Sequence, residues 1–262
     1  MVILCTLDLT CNLSKNKAKT PLKISGVFLY LRISNSLTMQ LEKQTFQFLK
    51  DLKENNNREW FTEFKPRFIE AQNNAKAIYK KIEENLNKHD EIDKFKLFRI
   101  YRDVRFSKDK TPYKTHFGGS FHRKKPELRG GYYLHISPGD SFVAGGFWEP
   151  NKEDLLRIRK EFEVDASEIR EILKEKNYVQ HFGGKLEGDE LKTAPKGFDK
   201  EHPDIDLIRK KGYIAIQRFT DKEVLAPDFL TKVDDAFKAL RPFFNYMSDV
   251  LTTNLNGESI LD

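Results

Sequence analysis

An α+β fold, with an antiparallel β-sheet core flanked by N-terminal and C-terminal helices, is the class this sequence predicts. Three observations carry it. Apolar residues at steps of three and four open and close the body of the chain, short aromatic and β-branched runs separated by Gly and Pro fill its middle, and no repeat or low-complexity tract divides it. With 39% hydrophobic residues and 21 Phe, a chain of 262 residues can bury a sizeable core.

Residues 1–38 stand apart. They hold one acid, Asp8, both cysteines, Cys5 and Cys11, and no sustained period, and they lack the basic leader of a signal peptide or an apolar stretch long enough to span a bilayer. They are expected to be a non-structural extension, with Met39 the true start and 39–256 a single α+β domain.

From Leu41 the spacing of Thr45, Phe48, Leu49 and Leu52 predicts a helix that ends at Asn55–Asn57, where an Asn can cap the next. That second helix carries Phe61, Phe64, Phe68, Ala71, Ala75, Ile78, Ile82 and Leu86, kinked or restarted at Pro66. Strands are expected at Phe98–Phe106, Thr115–His122, Gly131–Ser137 and Ser141–Trp148. The tight Ser137–Asp140 connection makes the last two a hairpin. Asn151 opens a helix through Leu155, Ile158 and Phe162, and Asp165 with Glu168 has the spacing of a capping box for another. A polar loop over 177–199 leads to a strand at Tyr213–Phe219, and Phe229, Val233, Phe237, Leu240, Phe244, Met247 and Leu251 make one long final helix bent near Pro242.

Charge narrows the functional classes. Cysteine is absent from the body, which excludes a disulfide scaffold and favours a reducing, cytoplasmic compartment; no membrane partner is expected. Between Phe95 and Gly130 eleven Lys/Arg face three acids, a local excess of eight against +6 for the whole chain. Clustering of this kind is the footprint of an anionic ligand.

If Phe98–Phe106 is a strand, Arg102 interrupts an apolar face and needs a carboxylate or a bound anion, while Asp103 on the other face braces Arg99 and Arg105. The following SKDKTPYKTHFGG, shaped by Pro112 and two glycines, brings Lys108, Lys110 and Lys114 around one concavity with Tyr113 nearby. His116, beside these cations, is the candidate general acid or base and is expected to be neutral near pH 7. Asp103 is the other proton-handling candidate and His135 a second imidazole. The competing interpretation is a purely structural ion-pair network.

The stretches NNREWF, FRIYRDVRFSKDKTPYKTHFG, GYYLHISPG, GGFWEP and APKGF with HP resemble the bacterial domain-of-unknown-function 2461 family from about Thr45 to about Leu251. The resemblance implies a single-domain intracellular protein, supports Met39 as the start, and brings no activity or catalytic residue with it.

In GGFWEP, Trp148 can stack on a ligand and Glu149 can pair with an arginine, against a core Trp and crowded glycines as the alternative. Lys196 in APKGF can serve a second anion loop or simply a turn. No histidine pair has metal-ligand spacing, and no nucleophile-elbow, Walker or dinucleotide-binding motif occurs, so no metal or cofactor is expected. The expected ligand is a phosphorylated or other anionic small molecule. The alternatives are a nucleic-acid module using the same block and a structural or partner-binding domain.

Overall fold

The computed structural model describes residues 39–261; the expectation for residues 1–38 therefore lies outside the described residues. Helix α1 (Lys43–Glu54) buries Phe46, Phe48, Leu49 and Leu52. It stops at Asn55, and Asn57 accepts a hydrogen bond from Trp60 N at 2.8 Å to start α2 (Arg58–Glu63). The chain breaks at Phe64 and restarts as α3 (Lys65–Leu86) with Pro66 in its first turn, where the missing N–H has no intrahelical acceptor to lose.

Five strands follow the helices as an antiparallel sheet in the order β1-β2-β3-β4-β5: β1 (Ile92–Leu97), β2 (Phe117–Arg123), β3 (Gly131–Ile136), β4 (Ser141–Phe147) and β5 (Tyr213–Phe219). The β3–β4 hairpin closes with Asp140 N donating to Ser137 O at 3.0 Å, and Gly139 supplies the left-handed turn residue at φ 79°. Helices α4 (Lys152–Val164), α5 (Ser167–Lys174), α6 (Lys176–Phe182) and α7 (Ile205–Ile208) connect β4 to β5. After β5 come α8 (Asp221–Val224), opened by a Thr220–Glu223 capping box, α9 (Phe229–Ala239) and α10 (Arg241–Thr252), the last with Pro242 in its first turn.

The sheet turns one face to the helices. On that face Tyr79 of α3 lies so close to β2 that a Cβ on Gly119 would fall 2.6 Å from its ring, and Leu240 fills the space a Cβ on Gly145 would need. The Tyr79 hydroxyl sits 3.0 Å from Phe117 O and 2.9 Å from Leu134 O, anchoring α3 to two strands. Phe121, Tyr132, Phe237 and Phe244 interlock over the same face.

At the end of β2, Arg123 is wholly buried, with its Nε 2.8 Å from Asp90 Oδ2. Tyr132 donates to the same carboxylate oxygen at 2.5 Å, and Arg241 approaches Oδ1 at 3.5 Å. Arg123 also donates to Arg129 O, Ser248 Oγ and Asn245 Oδ1, so this guanidinium meets the demand that a buried charge be paired and hydrogen-bonded.

Several expectations are corrected. Phe98–Phe106 is not a strand; the strand precedes it at Ile92–Leu97, and beyond Phe98 only Ile100, Tyr101 and Arg102 hold the returning chain, through Lys114 N to Ile100 O, a Tyr101–Tyr113 bridge and Arg102 N to Pro112 O. The physical reason is the density of charge, whose side chains stay in water rather than on a packed pleat. Asp165 and Glu168 form no capping box: Asp165 ends α4 and its carboxylate takes Ser167 N at 2.8 Å, leaving Ala166 as the uncapped start of α5. The expected loop over 177–199 contains α6, which buries Tyr178 and Phe182.

Candidate functional site

Strand pairing fixes what the opposite face presents. The register aligns Lys96, Ser120, Tyr133, Ala144 and Ile216 across the sheet, and beside that row Gly118, His135, Phe142 and Arg218. Tyr133, Ala144 and Ile216 of the first row and His135, Phe142 and Arg218 of the second, with His116, Gly146, Trp148 and Ile214, line a cleft of about 640 Å³. A cleft of this size with an aromatic floor and a few polar groups has the character of a small-ligand site.

Its polar centre is a pair of imidazoles. His116 and His135 have ring centroids 4.1 Å apart, and the Tyr133 hydroxyl lies 3.0 Å from His135 Nδ1. Room for that phenol comes from Gly118, where a Cβ would sit 2.6 Å from Tyr133 Oη. Burial, then His135, then Lys114 push His116 down to about 4. Burial also lowers His135 and raises the Tyr133 phenol. Neutral imidazoles beside a protonated phenol can accept or relay a proton near pH 7.

The cleft's walls differ in kind. On one side Phe142 stacks on His135 at 4.7 Å, with Arg218 5.6 Å from the Phe142 ring and 2.9 Å from Asp140. Trp148, 72% exposed, stands at the rim, and the next residue, Glu149, holds a left-handed φ of 46°, a conformation that L residues adopt sparingly and that clusters at functional sites. On the other side Lys96 and Lys114 flank the Phe98 ring at 5.6 and 5.3 Å, and Phe98 lies 6.3 Å from Tyr133. Burial, Arg99 and Lys96, in that order, lower the Lys114 ammonium. No carboxylate of the described residues forms an ion pair with Lys96, Arg99 or Lys114.

A second concavity of about 440 Å³, lined by Lys53, Asn56, Arg102, Tyr113, Lys114 and His116 among others, meets the first at His116. The structure thus brings His116 and Lys114 to the open face and Trp148 to its rim, with Arg99 a charged neighbour of Lys114. Other expected site residues are spoken for. Arg102 does not point into the core; it bonds Asp109 and Thr111, and the Thr111 N–H, then Arg102 and the Thr111 hydroxyl, hold the Asp109 carboxyl at about 2. Asp103 forks Arg105 alone, at 2.9 and 2.6 Å, and Lys110 donates to Val104 O at 3.0 Å. Tyr113 is buried, stacked on Phe61 at 3.9 Å. Lys108 and Lys196 are exposed on loops, and Glu149 pairs with no arginine among the described residues. Gly145 lets Leu240 pack close on the helix side while its backbone also lines the cleft.

Tyr133, Phe142, Ile214, Ile216 and Arg218 escaped the sequence reading as site residues, although the two-residue alternation of β3, β4 and β5 already places them on one face. Among the described residues, no cluster of three or more His, Cys, Asp or Glu could hold a metal ion.

The lowered His116 makes a pH prediction. Unfolded chain takes up a proton near pH 6.5 and the fold resists it until about 4, so stability present above 6.5 is lost as pH falls through that window. His116→Gln should flatten the dependence of Tm on pH between about 6.5 and 4. An unchanged slope would show that His116 does not titrate as its surroundings imply.

Fold and site together define a helix-backed antiparallel sheet with an aromatic cleft on its other face and cations along one edge. The chain belongs to the family described as conserved hypothetical protein (DUF2461), whose model matches residues 44–246. No curated protein and no solved structure matches it. No helix among the described residues is long and apolar enough to cross a membrane.

Proposed function

We propose that this chain binds a phosphorylated or other anionic small molecule on the open sheet face, its apolar part over Phe142, Ile214 and Ile216 and its anion toward Lys96, Arg99 and Lys114. The observation that carries this reading is the cation group beside the cleft. Lys114 is partly buried with Arg99 and Lys96 as its charged neighbours, and burial first, then their repulsion, lowers its affinity for its own proton. A bound anion would relieve that repulsion and accept charge-assisted hydrogen bonds. His116, shared by both concavities, is the group placed to move a proton on such a ligand.

The test is a thermal-shift screen against phosphate, phospho-sugars, nucleotides and acyl phosphates. A ligand at a hundred times its Kd should stabilise the fold by about 2.7 kcal/mol. Lys114→Gln and Arg99→Gln, both away from the core, should each weaken a responding anion by about tenfold, from a loss of about 1.5 kcal/mol of charge-assisted bonding. If no anion shifts Tm, or the variants respond like the parent, the reading fails. Oligonucleotides at low and raised salt form a separate arm, because phosphate-backbone binding must fall steeply with salt.

A further inference from the structure

The basic block that dominates the sequence builds a projecting loop, and we infer that this loop, residues 102–111, docks on an anionic lipid surface through Phe106 and the cations around it. The inference is independent of the cleft reading. Arg102 closes the neck by bonding Asp109 and Thr111, and Arg102 N donates to Pro112 O at 2.9 Å. Inside the loop, Asp103 holds Arg105 in a two-point fork and Lys110 Nζ satisfies Val104 O. A loop tied at so many points loses little freedom on docking.

At its apex Phe106 is 96% exposed, more than any other large apolar side chain among the described residues. The Arg105 guanidinium stands 5.9 Å from the ring, and Lys108 is exposed with no ion pair among the described residues. Within residues 102–111 four cations, Arg102, Arg105, Lys108 and Lys110, stand against two acids, Asp103 and Asp109.

An apolar tip inside a collar of cations suits a bilayer: the ring enters the acyl boundary while the collar stays at the anionic headgroups. Single-stranded nucleic acid fits less well, because it needs successive ring faces along a track. Here the Tyr101 ring, in the stretch that leads into the loop, is engaged with Phe61 and Tyr113. No spanning segment is required for such contact. Two terms act together, since one apolar group alone gives only marginal membrane affinity.

The experiment is co-sedimentation of the full chain with vesicles of phosphatidylcholine alone and of phosphatidylcholine with phosphatidylserine. Binding is expected to the anionic vesicles only and to fall as salt rises. Phe106→Ala should weaken it by about tenfold to a hundredfold, as loss of one buried Phe implies. Phe106→Leu should retain most of it, and Lys108→Gln should cost about fivefold. Both positions are exposed, and an unchanged Tm for each variant confirms that the fold is intact.

The proposal is overturned if the parent chain ignores anionic vesicles, if Phe106→Ala binds them as well as the parent, or if Phe106 instead controls retention of a single-stranded oligonucleotide. None of these outcomes touches the cleft reading, which is tested in solution by Lys114 and Arg99.

Discussion

Asp90→Ala should destabilise the fold by about 3–5 kcal/mol, read as a lower urea midpoint at unchanged m-value. Asp90 is the carboxylate that faces Arg123, whose side chain has no solvent exposure, and it also accepts from Tyr132 and approaches Arg241. Truncating it leaves a guanidinium that cannot shed its proton, with only neutral acceptors at Arg129, Ser248 and Asn245. The Tyr132 phenol, raised by burial and by Asp90, would also lose its acceptor. Adding Arg123→Met should restore much of the loss, because removing both charges also removes the desolvation they impose. A loss below about 1 kcal/mol for the single variant would mean that water or a neighbouring group replaces Asp90.

Gly146→Ala should abolish cooperative folding, a loss above about 4 kcal/mol. Its φ of 145° is one that L residues rarely adopt, and a Cβ there would sit 2.1 Å from Tyr213 O and 2.9 Å from Ile214 Cα. Both are backbone atoms of β5, so relief requires opening the β4–β5 ladder. Gly139→Ala is the control: its φ is also left-handed, at 79°, but nothing lies within 4 Å of the added carbon, and it should cost only about 1–2 kcal/mol. Soluble Gly146→Ala protein with a sharp thermal transition would contradict the steric argument. The same measurement asks whether this glycine, which also lines the cleft, holds the strand pair that shapes it.

Elements with a strong local period were legible in the chain. The Pro66 restart, the Asn57 and Asn151 caps, the β3–β4 hairpin and β5 follow from residues within a few positions of one another, whereas the single helix expected to bend near Pro242 is two helices that break at Leu240. The misplaced strand at Phe98–Phe106 shows the limit. Its residues alternate like a strand, yet Ile100 is the one wholly buried member of its apolar stripe, and Phe106 ends in water. Alternation is necessary for a half-buried strand but says nothing of whether a partner strand is within reach.

The candidate site divides the same way. His116 and the cations near it were visible from composition, because charge density can be counted. Arg102 and Arg123 look alike in the sequence. One closes a surface loop and the other is the inward guanidinium, a difference set by partners at Asp109 and Asp90.

By itself the sequence determined the fold class, the helical N-terminal and C-terminal regions, the hairpin and the location of excess positive charge, since each depends on local periodicity, capping or a sum over neighbours. Only the tertiary structure decided that the basic block projects as a loop, and that Tyr133, His135, Phe142 and Arg218 from three strands share one cleft. Register across the ladder, and which sheet face the helices cover, arise from contacts between residues far apart in the chain, and no local pattern carries that information.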